Sequence, residues 1–372
     1  MNPPFPVSVG VLSVGPELAR GDCAGTAAAA LPTLAEEAEA AGLRTGIVTT
    51  TTVTHATPAA LYAHVSNRNW ESDAELPEAH DGTCIDIARQ FVEFPFGDGV
   101  DVVLGGGRRA FLPEGVADPE HPSRTGSRRD GRHLVDEWLA GGEGRQYVWN
   151  EAQLRAASPE GQLLGLFADS HMAWESDRER DAAGEPSLAA MTRVAIARLS
   201  RGTGGYFLMV EGGRIDHAHH AGNAYRALTD TIAFAAAVRA AVETTDPAST
   251  LILVTADHSH TLTISGYSGR GNPILGHAAA GGARLTDARQ RPYTTLSYAN
   301  GPGFRSVELE DEDPLAPDYK QAATWPLAAE THAGEDVAAY ATGPGADRLR
   351  GVMDQQELHG VLRAALGFAG NR

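Results

Sequence analysis

Lysine is almost missing from this chain: of 372 residues only Lys320 is one, so arginine carries nearly all the positive charge. Acids outnumber bases, and the formal net charge is −18. A field of that sign repels a phosphate backbone, and the acidity is spread along the chain, so nucleic acid is excluded as a partner. Long apolar runs are missing too. None approaches the roughly 18 residues that a membrane span requires. The start, "MNPPFPVSVG", lacks the basic region and apolar stretch of a secretory leader. Cysteine is scarce, with only Cys23 and Cys84. Two cysteines allow one disulfide or two core thiols, and composition does not choose between them. What is present suits a large core, since 42% of the residues are hydrophobic.

Short β-branched runs alternate with alanine-rich stretches. Strands are predicted at Gly46–Thr50, Val100–Leu104, Tyr206–Val210 and Leu251–Thr255, and helices at Pro32–Ala41, Ala221–Thr245 and Asp354–Leu366. This alternation implies βαβ units and a mostly parallel sheet. Such sheets place their chemistry beyond the carboxyl ends of the strands. Two stretches break the rhythm, about Asp118 to Arg132 and about Ile264 to Trp325, the second with the acidic "VELEDEDP". Both read as surface excursions of one domain spanning residues 1–372, with no repeat and no linker.

Chemistry-bearing residues gather in three places. "VEGGRIDHAHH" (210–220) follows the apolar run "YFLMV" and spaces Glu211, Asp216 and His220 by five and four residues. Asp216 and His220 therefore share a helix face, as chelation requires. "TADHSH" (255–260) ends another apolar run with Asp257 and His258, and "ETHAGEDVAAYATGPGA" offers His332. Carboxylate mixed with imidazole suits Zn²⁺, while a carboxylate with neutral oxygens suits Mg²⁺. Any one of these histidines is more often an ordinary surface or core residue, and Asp257 alone reads equally well as a helix cap.

Together the three stretches resemble the metal-binding signatures of alkaline phosphatases, in the animal-type and related bacterial form. "GTCIDIARQFVEFP", "DVVLGGGRRAF" and "ARQRPYTTLSYANGPGF" resemble further family segments in the family's order, over nearly the whole chain. The resemblance implies an α/β three-layer sandwich around a large, mostly parallel sheet, with residues 264–325 as a crown-like surface excursion near the active-site entrance. It also implies hydrolysis of small phosphate monoesters through a phosphoserine intermediate, by two zinc ions and one magnesium ion. Asp216, His220 and His332 match one zinc's ligands, Asp257 and His258 match two ligands of the other, and Thr57 and Glu211 match two for magnesium. Arg68, in "VSNRNW", matches the phosphate-binding arginine. His55 and His217 stand where other bacterial members carry Asp and Lys, and take supporting roles around magnesium-bound water. His260 lies near without being a ligand. A Cys23–Cys84 disulfide, a homodimer, and a periplasmic or secreted location follow from the same resemblance, with the export signal expected upstream.

The family's nucleophilic serine lies in an Asp-Ser-Ala-type motif upstream of the segment that here begins near Val9, beside an aspartate that bridges the second zinc and magnesium. Neither matches anything in this sequence. The expectation is therefore a chain truncated at its amino end, without the first strand and nucleophile helix, inactive or severely impaired as written. Two other readings are a superfamily phosphodiesterase or sulfatase-like hydrolase, and a non-catalytic zinc-binding remnant. Arg68 with Thr57 and Glu211 favours monoesters over both.

Overall fold

The computed structural model describes residues 10–78, 82–305 and 312–368. Five parallel strands form the central sheet: β1 (Arg44–Thr52), β2 (Val102–Gly106), β3 (Gln146–Val148), β4 (Leu163–Leu166) and β5 (Tyr206–Glu211), in the order β3-β4-β2-β1-β5. Successive side chains on a strand point to opposite faces, and the packing follows that period. Ile47, Val103 and Leu164 pack on one face with the helices Ile87–Val92 and Leu134–Ala140. Val48, Val102, Leu104 and Leu163 pack on the other against the helix Leu188–Leu199. Each face is thereby covered, which is why β2 and β4 read as continuous apolar runs and are buried throughout.

β5 departs from that pattern. Its sequence "YFLMVE" is that of an interior strand, yet all six residues are half-exposed and it ends the sheet. Among the described residues no strand pairs with its outer edge. The expected strand at Leu251–Thr255 needs correction for a related reason. It is only Ile252–Val254, it lies outside the five-stranded sheet, and it pairs antiparallel with Tyr340–Thr342.

The polar stretch 118–132 also differs from a simple surface excursion. Most of it is exposed, but Arg128 is fully buried and bonds to Asp86 and Asp130. Asp118 is buried against Arg108, itself fully buried. Paired, hydrogen-bonded charges are what make such burial tolerable. The stretch from Ile264 to Trp325 starts and ends in one three-stranded sheet, Leu262–Ile264, Leu296–Gly301 and Ala323–Pro326, and between them carries the short hairpin of Ala279–Ala280 and Ala283–Arg284. Residues 306–311, with most of the acidic "VELEDEDP", lie outside the described residues.

Cys23 and Cys84 form a disulfide, with Cα atoms 4.9 Å apart across 61 residues of chain. On the chain-entropy account a loop of that length stabilises by about 4 kcal/mol. Cys84 sits in the core that carries β1, so the bond ties the amino-terminal segment to the sheet.

Candidate metal centre

β1 and β5 run side by side with Thr49 opposite Glu211, and both point their carboxyl ends at the same place. There the Glu211 carboxylate accepts the hydroxyls of Thr49 (2.5 Å) and Thr51 (3.2 Å). The chain then turns through Gly212 and Gly213 into the helix Arg214–His220. A Cβ at Gly213 would collide with Thr51 and stand 2.9 Å from Glu211 Cδ, so the turn requires glycine for close approach. The amide of Arg214 donates to Thr50 Oγ1 (3.2 Å) and pins the helix start to β1.

One turn later Asp216 becomes the hub of an imidazole ring. Its Oδ1 lies 2.9 Å from His260 Nε2, 3.3 Å from His332 Nε2, 3.4 Å from His220 Nε2 and 3.9 Å from His258 Nε2. Three chain segments meet here, because Ser259–His260 pairs antiparallel with His332–Ala333 and places His260 opposite His332. The structure thus brings Asp216, His220 and His332 together. It also stacks His258 on His332 at 3.5 Å between ring centres, so the two expected zinc sets adjoin around one carboxylate. Asp257 contacts His258 at 3.2 Å but points mostly into solvent, with its side chain 70% exposed. Burial pushes the Asp216 carboxyl up. The hydrogen bond from His260 and the charges of His220, His260 and His217 outweigh that and hold it well below the usual carboxylate range.

The donor chemistry fits a metal at this position. His220 donates Nδ1–H to the carbonyl of Glu330 (2.6 Å), which leaves a lone pair on Nε2, the atom facing Asp216 and His332. A carboxylate with two such imidazoles supplies three ligands and leaves a fourth position open, the arrangement of a catalytic zinc.

A second cluster joins His55, His171 and His217, with ring centres 4.4 to 5.4 Å apart. Its chemistry is different. His171 Nδ1 accepts the amide of Thr52 (3.0 Å), and His217 Nδ1 accepts the guanidinium of Arg214 (3.0 Å). In both neutral rings the proton then sits on Nε2, where a cation would need a lone pair. Burial, mutual repulsion and the charge of Arg214 push both rings down to about 3, so they stay neutral N–H donors. They suit a water oxygen rather than a metal ion.

The remaining expected residues are placed less decisively. Thr57 is exposed near the start of the short helix Ala56–Ala59, and no hydrogen bond joins it to Glu211 among the described residues. Arg68 is half-buried, with its amide bonded to the carbonyl of Gly10 (2.7 Å). Among the described residues no carboxylate pairs with its guanidinium, unlike the buried Arg108 and Arg128.

Comparison with known proteins decides what this assembly belongs to. A sequence model described as alkaline phosphatase matches residues 13–368. The tissue-nonspecific isozyme of alkaline phosphatase from Gallus gallus is 42% identical over 378 residues, covering 98% of this chain and 71% of its own length. The chain belongs to the alkaline phosphatase family. The membrane-bound alkaline phosphatase of Bombyx mori is 41% identical over 90% of this chain and 62% of its own length. Among solved structures, the Thermus thermophilus alkaline phosphatase is 33% identical with a TM-score of 0.55, covering 70% of this chain and 46% of that one. The cold-active enzyme from Shewanella covers 96% of this chain with a TM-score of 0.60 at 21% identity, a likeness of fold. Among the described residues no helix is long and apolar enough to cross a membrane.

Within this alkaline phosphatase family member, sequence reasoning places His260 near the centre without a role and misses Glu330 and His171. His260 bonds to Asp216 through Nε2 and to Glu330 through Nδ1 (2.7 Å), and these two carboxylates lift it to about 9 against the opposing effect of burial. Glu330 is the buried acid behind it. His171, in "DSHM", reaches the second cluster from the loop after β4. No spacing signal marks Glu330 or His171.

Proposed function

We propose that this chain carries the metal centre of an enzyme that, in its full-length form, hydrolyses small phosphate monoesters at the carboxyl ends of β1 and β5, with zinc held by Asp216, His220 and His332. The observation that carries this reading is the Asp216 hub, with the His220 tautomer set for ligation. Asp257 and His258 offer two ligands to an adjoining zinc, and Glu211 and Thr57 offer two oxygens to magnesium. When bound, the zinc pair supplies positive charge against which the attacking and leaving oxygens are neutralised. Arg68, whose guanidinium no carboxylate pairs among the described residues, offers a planar fork suited to two nonbridging phosphate oxygens, a geometry that lysine lacks. His171 and His217 offer their Nε2–H groups to water in the cluster they form with His55. Residues 264–325 form a surface excursion of the single domain at the entrance. Among the described residues no strand pairs with the outer edge of β5, and we place a strand carrying a carboxylate and a nucleophilic serine there. Export, which the disulfide suits, and homodimer formation belong to the same reading.

Arg68→Ala tests it. In zinc-loaded protein the variant is expected to bind inorganic phosphate about 10- to 100-fold more weakly by calorimetry, as loss of a charged hydrogen-bond pair implies. Arg68→Lys recovers only part of that affinity. Unchanged phosphate binding removes Arg68 from the site, and preferential cleavage of bis-p-nitrophenyl phosphate over p-nitrophenyl phosphate replaces the monoester reading with a diester one.

A further inference from the structure

Glu330 has a side chain that is 0% exposed, yet among the described residues no arginine or lysine pairs with it. Of the other buried carboxylates, Asp86 and Asp118 each face a guanidinium, while Glu36 is met by His64 and Glu39 by Thr45. A buried acid without such a partner survives only if its oxygens are otherwise filled. Here Oε1 accepts both the amide (2.6 Å) and the hydroxyl (2.7 Å) of Thr261, and Oε2 accepts Nδ1–H of His260 (2.7 Å). The far side of that ring, Nε2–H, donates to Asp216 Oδ1 at 2.9 Å. The backbone of the same residue grips a second site residue. Its N–H donates to the carbonyl of His220 (2.9 Å), and its carbonyl receives Nδ1–H of His220 (2.6 Å).

We infer that Glu330 is a positioning residue for the metal centre, orienting Asp216 through His260 and fixing the His220 tautomer through its own carbonyl. This rests on the reading of Asp216, His220 and His332 as a zinc set. The side chain is the anchor and the backbone carbonyl is the working group, so both ligands are oriented by one buried carboxylate. Outer hydrogen bonds of this kind set the ring orientation of ligating histidines and strengthen metal binding.

The test compares wild type, Glu330→Gln and Asp118→Asn for zinc affinity by chelator competition, thermal stability, and the His220 tautomer by long-range ¹H–¹⁵N NMR of the metal-free proteins. Wild type is expected to show His220 protonated at Nδ1. Glu330→Gln is expected to mix the two tautomers and to bind zinc about 10- to 100-fold more weakly. Asp118→Asn, whose partner Arg108 lies away from the centre, is expected to lose thermal stability with zinc affinity unchanged. Should Glu330→Gln fail to fold, Thr261→Val, which removes one of the three bonds on the carboxylate, is expected to shift the same two readouts in the same direction. Unaltered tautomer and zinc affinity in a folded variant overturn the inference. A wild type that binds no zinc while Glu330→Gln still mixes the tautomers overturns the zinc reading and leaves the positioning of His220 standing.

Discussion

The 372-residue chain is expected to hydrolyse p-nitrophenyl phosphate at less than about a thousandth of the rate of the same chain extended by a family segment with the first strand and the Asp-Ser-Ala motif. Three observations support this. Asp257 is mostly in solvent, and among the described residues its ion-pair contact is His258 alone. The serine beside His258, Ser259, gives its hydroxyl to Glu335 (2.9 Å) and points away from the chemistry. β5 is half-exposed, and among the described residues no strand pairs with its outer edge. The added segment is expected to supply a bridging carboxylate, a covalent route and a neighbour for β5. Turnover by the purified 372-residue chain at an ordinary enzymatic rate, free of host phosphatase, would sink this account of the site.

Asp216→Ala is expected to lower zinc affinity at the centre by about a thousandfold, some 4 kcal/mol. The change removes a ligand and also the acceptor on which His260 is aligned, while His220, His258 and His332 lose the one anion they share. His332→Ala removes a single ligand and is expected to reduce zinc content by about one ion per chain, measured by plasma mass spectrometry after dialysis. His258→Ala is expected to leave the Asp216–His220–His332 site filled. Equal zinc content in wild type and Asp216→Ala contradicts the assignment.

Much of the layered fold is legible because β1 is rich in β-branched residues and β5 is an apolar run. The strand β4 and the helix Leu188–Leu199 were not, since "LLGL" is too short to separate from helix and the helix is bounded only by a serine cap. Leu251–Thr255 was legible as a strand but not in its place, because pairing partners are a property of the fold. The buried Arg128 was read as surface, since a sequence does not display the two carboxylates that neutralise it. At the centre, Asp216 and His220 were legible from helical spacing. His332 was reachable only through family likeness, as it arrives from a separate strand 112 residues away. Glu330 is invisible, and His260 is legible as a neighbour but not in its role, because a residue that acts by orienting another leaves no periodic mark.

The assignment of the metal centre is tested most directly by diffraction from crystals grown with zinc, with data collected on both sides of the zinc absorption edge. The account requires an anomalous peak bound by Asp216, His220 and His332, with zinc–nitrogen distances of about 2.0–2.1 Å to the two imidazoles. Absence of that peak, or a peak held instead by His55, His171 and His217, would contradict it.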